Sequence, residues 1–245
     1  MTAETVLFIL IGAAAGGFVN GLAGFGTALF ALGWWLQVLA PAEAVALAIA
    51  MSIASGVPGM WLVRHDIEPR RLARFLVPAL AGIPLGLWLL GRLDPEPLKL
   101  LVAVLLVLYG GLFAFRRDLP ALEGERPVTD AGVGFAGGVL GAMAGLSGAL
   151  PTMWLALRPW AKGKQRALLQ PYNMGVLAIS ALLLLVAGGY GGRVPLALLI
   201  ALPATMLAAR AGIAVFRRLS DAQFRRLLIV LMLVSGVALG LREAL

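Results

Sequence analysis

Long uncharged stretches alternate with short charged runs along this chain. Read from charge to charge, the uncharged stretches are residues 5–42, 44–63, 75–91, 100–115, 131–157, 167–192, 194–209 and 227–241. A helix that crosses a bilayer needs about 20 mostly apolar residues, and Lys or Arg at its ends can reach back to the interface. The pattern therefore predicts an all-α, polytopic membrane protein.

Two of these stretches contain glycine-rich interruptions. Residues 5–42, taken as one helix, would be far longer than a bilayer core of about 30 Å. The runs of small and polar residues at 20–27 and 143–152 are poor in helix formers. We therefore predict that 5–42 and 131–157 each fold as a helical hairpin that turns at its glycine-rich tip.

Composition agrees with a lipid environment and limits the kinds of partner and site that the chain can form. The hydrophobic fraction is 61% and the charged fraction 13%, against roughly 45–50% and 25% in soluble domains. The excess of 20 Lys plus Arg over 12 Asp plus Glu fits the positive-inside rule, so no nucleic-acid partner is predicted. With no cysteine and one histidine, the sequence predicts no disulfide and no histidine metal cluster. No cofactor is predicted.

The chain also contains an internal repeat. Residues 15–29 and 136–150 are identical at seven of fifteen positions, and residues 86–110 match 212–236 more weakly. We therefore divide the chain into an N-terminal transmembrane repeat at 1–115, a cytoplasmic linker at 116–130 and a C-terminal transmembrane repeat at 131–245.

Basic residues are distributed unequally between equivalent connections of the two halves. The connection after residue 63 contains four arginines, whereas its counterpart near residue 190 contains Arg193 alone. Because Lys and Arg accumulate on the cytoplasmic side, the halves are predicted to be inverted repeats. Each half is then a helical hairpin plus three transmembrane helices, and both termini lie outside the cytoplasm.

The helix breaks are the candidate binding site. Non-helical backbone at membrane depth is tolerated where protein or water covers it, so the two tips are expected to face a central cavity. Helices restart beyond the tips, with Thr27 and Ser147 as predicted N-caps, and helix N-termini attract anions. Side-chain amides on the sixth stretch and a deep arginine on the seventh complete the predicted substrate-binding set: Asn20, Gly24, Gly26, Thr27, Ser147, Gly148, Thr152, Gln170, Asn173 and Arg210.

Other interpretations of these features remain. The isolated glycines, such as Gly82, Gly86 and Gly134, are better explained by close helix packing. The absence of Asp and Glu from the predicted spans leaves no obvious proton or Na⁺ carrier, and we hypothesise uncoupled anion efflux. An anion channel is one alternative. An intramembrane serine protease is a weaker one, since the GxSG at 145–148 would need a partner and His65 lies in a basic connection.

Residues 17–26 and 137–148 resemble the paired signatures of the TauE/SafE sulfite exporter family, and the resemblance extends over nearly the whole chain. It implies a bacterial inner-membrane exporter of small sulfur-containing or carboxylate anions, such as sulfite or an organosulfonate, and not an enzyme. The expected partners are a small anionic substrate and the lipid bilayer. A second copy of the chain, in a homodimer, is kept as a candidate partner.

Overall fold

The computed structural model describes residues 1–92, 122–224 and the positions 94, 96, 97, 100, 101, 104, 107, 108, 111, 226, 227 and 230. Within these residues the chain is helical, and its main elements are α1 (Ala3–Ala23), α2 (Thr27–Trp35), α3 (Pro41–Val63), α4 (Pro69–Leu90), α5 (Pro127–Ala144), α6 (Ala149–Ala156), α7 (Lys162–Val186) and α8 (Val194–Arg218). The last helix predicted for each half, at 100–115 and 227–241, falls largely outside the described residues, as does the linker from 116 to 121.

Five of the described helices, α1, α3, α4, α7 and α8, are long and apolar enough to cross a membrane. Their outward surfaces are also apolar: Trp61, Leu199 and Leu207 are 69%, 71% and 67% exposed. Such surfaces are unfavourable in water and favourable in lipid, so the prediction of an α-helical membrane protein is confirmed.

Both long uncharged stretches fold as helical hairpins. In the first, the indole of Trp35 donates to the carbonyl of Ile9 at 3.1 Å, and α2 lies antiparallel along α1. In the second, α6 lies antiparallel along α5, because Gly137 faces Pro151 and Gly141 faces Ser147. Helix α5 begins at Pro127, so the last residues of the predicted linker belong to the helix, as proline in a first turn favours.

Two parallel helix pairs join the halves through glycine. Gly17 contacts the backbone of Thr205, and Gly21 contacts that of Ala209, so α1 and α8 run in the same direction. Gly134 and Gly138 contact the backbone of Phe75 and Ala79 in the same way, which makes α4 and α5 parallel. A glycine surface lets two helix backbones approach closely. Packing, as predicted, explains the isolated glycines of these helices.

The remaining contacts fix the direction of every long helix. Helix α3 crosses α7 antiparallel, and the Glu43 carboxylate accepts from the backbone N–H of Arg193 at 3.1 Å, which places the starts of α3 and α8 together. Helices α1, α3 and α8 therefore run one way, and α4, α5 and α7 run the other.

We name the two ends of the bundle by their charge. Where α3 and α8 end and α4, α5 and α7 begin, the described chain carries Arg64, Arg70, Arg71, Arg74, Arg126, Lys162, Lys164, Arg217 and Arg218, and this is the basic end. The other end carries Arg92 and Arg193. At the basic end Arg74 donates to Glu125 at 2.7 Å, and this hydrogen bond holds the pKa of the Glu125 carboxyl below its usual range.

We expect Gly138→Ala to lower the melting temperature of the purified protein. The added Cβ would fall against the backbone of Ala79, which cannot yield as a flexible side chain can. Overpacking of this kind costs about 1–3 kcal/mol. The matched control is Gly132→Ala on the same helix, where a Cβ meets nothing within 4 Å and helix propensity favours alanine. Equal melting temperatures for the two variants would contradict the packing role.

Candidate functional site

The first tip, residues 24–26, turns on two glycines with left-handed backbone. Gly24 ends α1 with φ +82°, and Gly26 precedes α2 with φ +101°. A side chain at either position would be strained, which is why glycine occupies both. The N–H of Gly24 donates to the carbonyl of Asn20 at 2.7 Å and closes the last turn of α1.

The second tip, residues 145–148, begins in the same manner. Gly145, which the repeat aligns with Gly24, ends α5 with φ +69°, and its N–H donates to the carbonyl of Gly141 at 2.8 Å. The chain then turns through Ser147 and Gly148 before α6 begins at Ala149.

The two tips lie against each other inside the bundle. A Cβ built on Gly148 would lie 2.6 Å from the Cβ of Phe25, and one built on Gly145 would lie 3.1 Å from the Cβ of Ala28. Phe25 is 1% exposed and Ser147 is fully buried, so protein covers both breaks. Glycine on the second tip is what allows the first tip to approach this closely.

Neither Thr27 nor Ser147 is an N-cap, and that prediction was wrong. The caps are Gly26 and Gly148, and neither α2 nor α6 has a side-chain cap. The left-handed turn at Gly26 shifts the helix start by one residue, so Thr27 is the first residue of α2 and its buried hydroxyl has no protein partner. Ser147 instead donates to the Oδ1 atom of Asn173.

Asn20 connects the first tip to α3. Its Nδ2 atom donates to the carbonyl of Ser52 at 3.0 Å and to the hydroxyl of Ser55 at 2.6 Å, and that hydroxyl in turn donates to the carbonyl of Met51. All of these groups are buried, while the Oδ1 atom of Asn20 has no protein partner.

Gln170 lies between the first tip and α3. Its Nε2 atom donates to the carbonyl of Gly56 at 3.1 Å, and its Oε1 atom, buried and without a protein partner, faces the Cα atoms of Gly24 and Gly59. The side chain is fully buried. Three glycines thus provide the space that this amide occupies.

Arg166, which the predicted set did not include, belongs to the same cluster. Its guanidinium donates to the carbonyls of Gly21 at 2.9 Å and Leu22 at 3.2 Å, the last turn of α1. A cation is favoured at a helix C-terminus, where carbonyl groups lack partners. The signal in the sequence was the spacing of Arg166, Gln170 and Asn173, which places all three on one face of α7.

The other predicted residues are divided between the site and the surface. Thr152, one turn into α6, is buried and donates to the carbonyl of Gly148 at 2.6 Å. Arg210 lies on an exposed face of α8, away from the buried cluster. His65 is exposed in the connection between α3 and α4, and the Ser147 hydroxyl pairs with Asn173, so these two residues do not form a serine–histidine dyad.

The cluster is polar, cationic and without carboxylates among the described residues. Buried oxygen atoms of Asn20, Thr27 and Gln170 and the Nε atom of Arg166 have no protein partner. Buried polar groups normally find a partner, so such atoms indicate where water or a ligand completes the hydrogen bonding. No group of three potential metal ligands exists in the described ranges. The fold is that of a polytopic α-helical membrane protein, and helix breaks inside the bundle are typical of membrane transporters.

The family model described as sulfite exporter TauE/SafE matches residues 8–239. The chain therefore belongs to the TauE/SafE sulfite exporter family, which consists of anion-exporting membrane transporters, and the resemblance of residues 17–26 and 137–148 is confirmed. No curated protein and no solved structure matches the chain.

We expect Asn20→Ala and Ser55→Ala each to lower the free energy of unfolding by about 1–3 kcal/mol, because each removes the buried hydrogen bond between these two side chains. The double variant should lose clearly less free energy of unfolding than the sum of the two single variants, since both changes remove the same hydrogen bond. Denaturant unfolding in detergent measures all three. Ser180→Ala is the control, because its buried hydroxyl bonds only to Val176 of its own helix. Additive costs would mean that the two side chains act separately.

Proposed function

We propose that this protein exports small anions along a path that passes between the two tips. The observation that supports this most directly is the contact of two helix breaks inside the bundle, where the N-termini of α2 and α6 have no side-chain caps. Unpaired N–H groups at helix N-termini bind anions. The donors of Gln170 and Arg166 lie beside the first tip and could hold an oxyanion when they release the backbone carbonyls of Gly56, Gly21 and Leu22.

The same proposal includes an inverted repeat. The contacts of Gly17 with Thr205 and of Gly138 with Ala79 are equivalent under the two sequence offsets of the repeat, 121 and 126 residues. Helices α1 and α5, which the first offset aligns, run in opposite directions. Both facts support two halves of similar fold and opposite orientation.

We place the basic end in the cytoplasm, which puts the N-terminus on the outer side of a bacterial inner membrane. The distribution of arginine and lysine between the two ends supports this orientation. For the substrate, membership of the family supports sulfite, organosulfonates or related carboxylates. An inside-negative potential favours the exit of an anion by about 2.3 kcal/mol per charge per 100 mV, so export needs no coupled ion.

Anion efflux from proteoliposomes tests the transport proposal. With the potential clamped by a K⁺ gradient at fixed pH, sulfite or methanesulfonate efflux should rise as the protein-containing vesicle becomes more negative inside, because the anion moves with the field. Empty liposomes give the background. An efflux rate that does not depend on the membrane potential would contradict uncoupled export.

The same assay tests the location of the path. Gln170→Ala should reduce efflux, because it removes an amide beside the first tip, while Ser180→Ala on the same helix should not. If Gln170→Ala keeps full efflux and an unchanged melting temperature, the path does not pass beside the first tip.

Reporter fusions test the orientation. A fusion after residue 218 or within the connection at residues 64–68 should report the cytoplasm, since both lie at the basic end. A fusion within residues 187–193, at the opposite end, should report the outer side. Reversed signals at these positions would contradict the proposed orientation.

A further inference from the structure

Two groups of cations at the basic end differ in their partners. One group faces carboxylates at the starts of α4 and α5. Its ion pairs are Arg71 with Glu68, Arg74 with Glu125, Arg158 with Asp130 and Lys164 with Glu68. The other group, Lys162, Arg166 and Arg217, lies where α7 begins and α8 ends. Within the described part of the chain, none of these three forms an ion pair. Positive charge is therefore uncompensated on the α7–α8 side of the basic end.

Lys162 and Arg166 are held against one aromatic ring and not against acids. The Nζ atom of Lys162 and the guanidinium carbon of Arg166 lie 4.8 and 4.4 Å from the centroid of the ring of Phe216, a residue that is 7% exposed. The Nζ atom of Lys162 also donates to the carbonyls of Phe216 at 3.1 Å and of Leu219. A ring face and carbonyl oxygens fix the position of a cation but carry no full negative charge. Both side chains thus keep their charge available for an anion.

The other charges near this ring leave the region positive. The end of α8 and the start of α7 meet here, and their partial charges of about −0.5 and +0.5 nearly cancel. Arg217 is exposed, and its positive charge acts on the guanidinium of Arg166. Asp221, the first acid after α8, is exposed and pairs with none of the three cations among the described residues. Three cations against this one acid give a positive potential, which attracts anions from solution.

The three cations also differ in depth. Arg217 is exposed at the surface of the basic end, Lys162 is half-buried, and Arg166 is 2% exposed and donates to the last carbonyls of α1 at the first tip. We propose that Lys162, Arg166 and Arg217, with Phe216 positioning the first two, form an entry site that takes small oxyanions such as sulfite or a sulfonate from the aqueous phase at the basic end. From there the anion reaches the first tip. This rests on the proposed function and adds the residues through which the anion enters the path.

The phosphate of a lipid headgroup offers the same chemistry as a free oxyanion, and the depth of Arg166 favours the free anion. Lys162 and Arg217 lie near the surface, where a headgroup could reach them. Arg166 contacts the carbonyls of Gly21 and Leu22 within the bundle, and a headgroup tied to its acyl chains cannot follow the series of cations that far. The entry site therefore serves a soluble anion.

The entry site is tested by methanesulfonate efflux at a series of internal concentrations, in vesicles of phosphatidylcholine, a lipid without net charge. Lys162→Gln and Arg217→Gln should each raise the half-saturating concentration about threefold or more, because each removes a charge that concentrates the anion. Lys162→Arg should keep the value of the unmodified protein. Lys164→Gln is the matched control on the same helix: it changes the net charge equally, but Lys164 is paired with Glu68 at 3.5 Å, so it should have little effect.

The outcomes separate this proposal from the transport proposal. Equal half-saturating concentrations for Lys162→Gln, Arg217→Gln and Lys164→Gln would overturn the entry site and leave anion export intact. No efflux from the unmodified protein would instead defeat the proposed function. Melting temperatures show whether each variant is folded. Arg217 is exposed, so Arg217→Gln decides the matter if Lys162→Gln does not fold.

Salt and lipid composition identify the cause of the effect. Raising the ionic strength from about 0.1 to about 1 M shortens the Debye length from about 10 to about 3 Å, so the difference between the unmodified protein and Lys162→Gln should shrink. A difference that salt leaves unchanged would mean a structural role for Lys162 and would overturn the proposal. A difference that appears only after phosphatidylglycerol, an anionic lipid, is added would assign the site to a lipid headgroup and overturn it as well.

The role of Phe216 is tested in the same assay. Phe216→Leu keeps an apolar side chain but removes the ring face, and it should raise the half-saturating concentration because Lys162 and Arg166 lose their common contact. Phe216→Tyr keeps the ring and should restore the value of the unmodified protein. A folded Phe216→Leu with an unchanged half-saturating concentration would refute the positioning role.

Discussion

The structure depends on how it covers backbone that is not helical inside the bundle. Two helices end and restart within the packed helices, and every such end leaves N–H and C=O groups without intrahelical partners. At the first tip the guanidinium of Arg166 donates hydrogen bonds to two of the last carbonyls of α1. Asn20 links the same turn to α3. The second tip packs directly on the first. Each break is thus stable because the opposite half of the chain lies against it.

This constraint also explains the distribution of glycine. The tips require left-handed backbone at Gly24 and Gly145, and their contact requires that Gly148 present no side chain to Phe25. Farther along the helices, Gly17 and Gly138 bring α1 onto α8 and α5 onto α4, which holds the two hairpins in the centre. The polar groups that cover the breaks are the groups that a transported anion would meet. On the proposed path, the atoms that stabilise the breaks would also recognise the ligand.

The local features of the sequence were reliable guides to the local structure. The length of the first uncharged stretch required a hairpin, and the aligned glycines at 24 and 145 occur where both hairpins turn. The predicted N-cap at Thr27 was wrong because the left-handed residue Gly26 shifts the start of α2, which composition does not reveal. Ser147 is not an N-cap because α6 begins after Gly148, and its hydroxyl donates to Asn173. Arg210 was included for its apparent depth along a helix, but the rotation of α8 places it on an exposed face.

The sequence by itself determined the membrane class, the hairpins, the pairing of the two signatures and the family, because hydrophobic length, glycine and motif identity are properties of short segments. Only the tertiary structure decided which polar groups meet. The contact of Arg166 with Leu22 joins residues 144 positions apart in the chain. How much this contact stabilises the fold depends on the surroundings of the guanidinium, where no described carboxylate lies. Spacing along α7 indicated a shared face, but the partner of that face is set by the packing of helices distant in the chain.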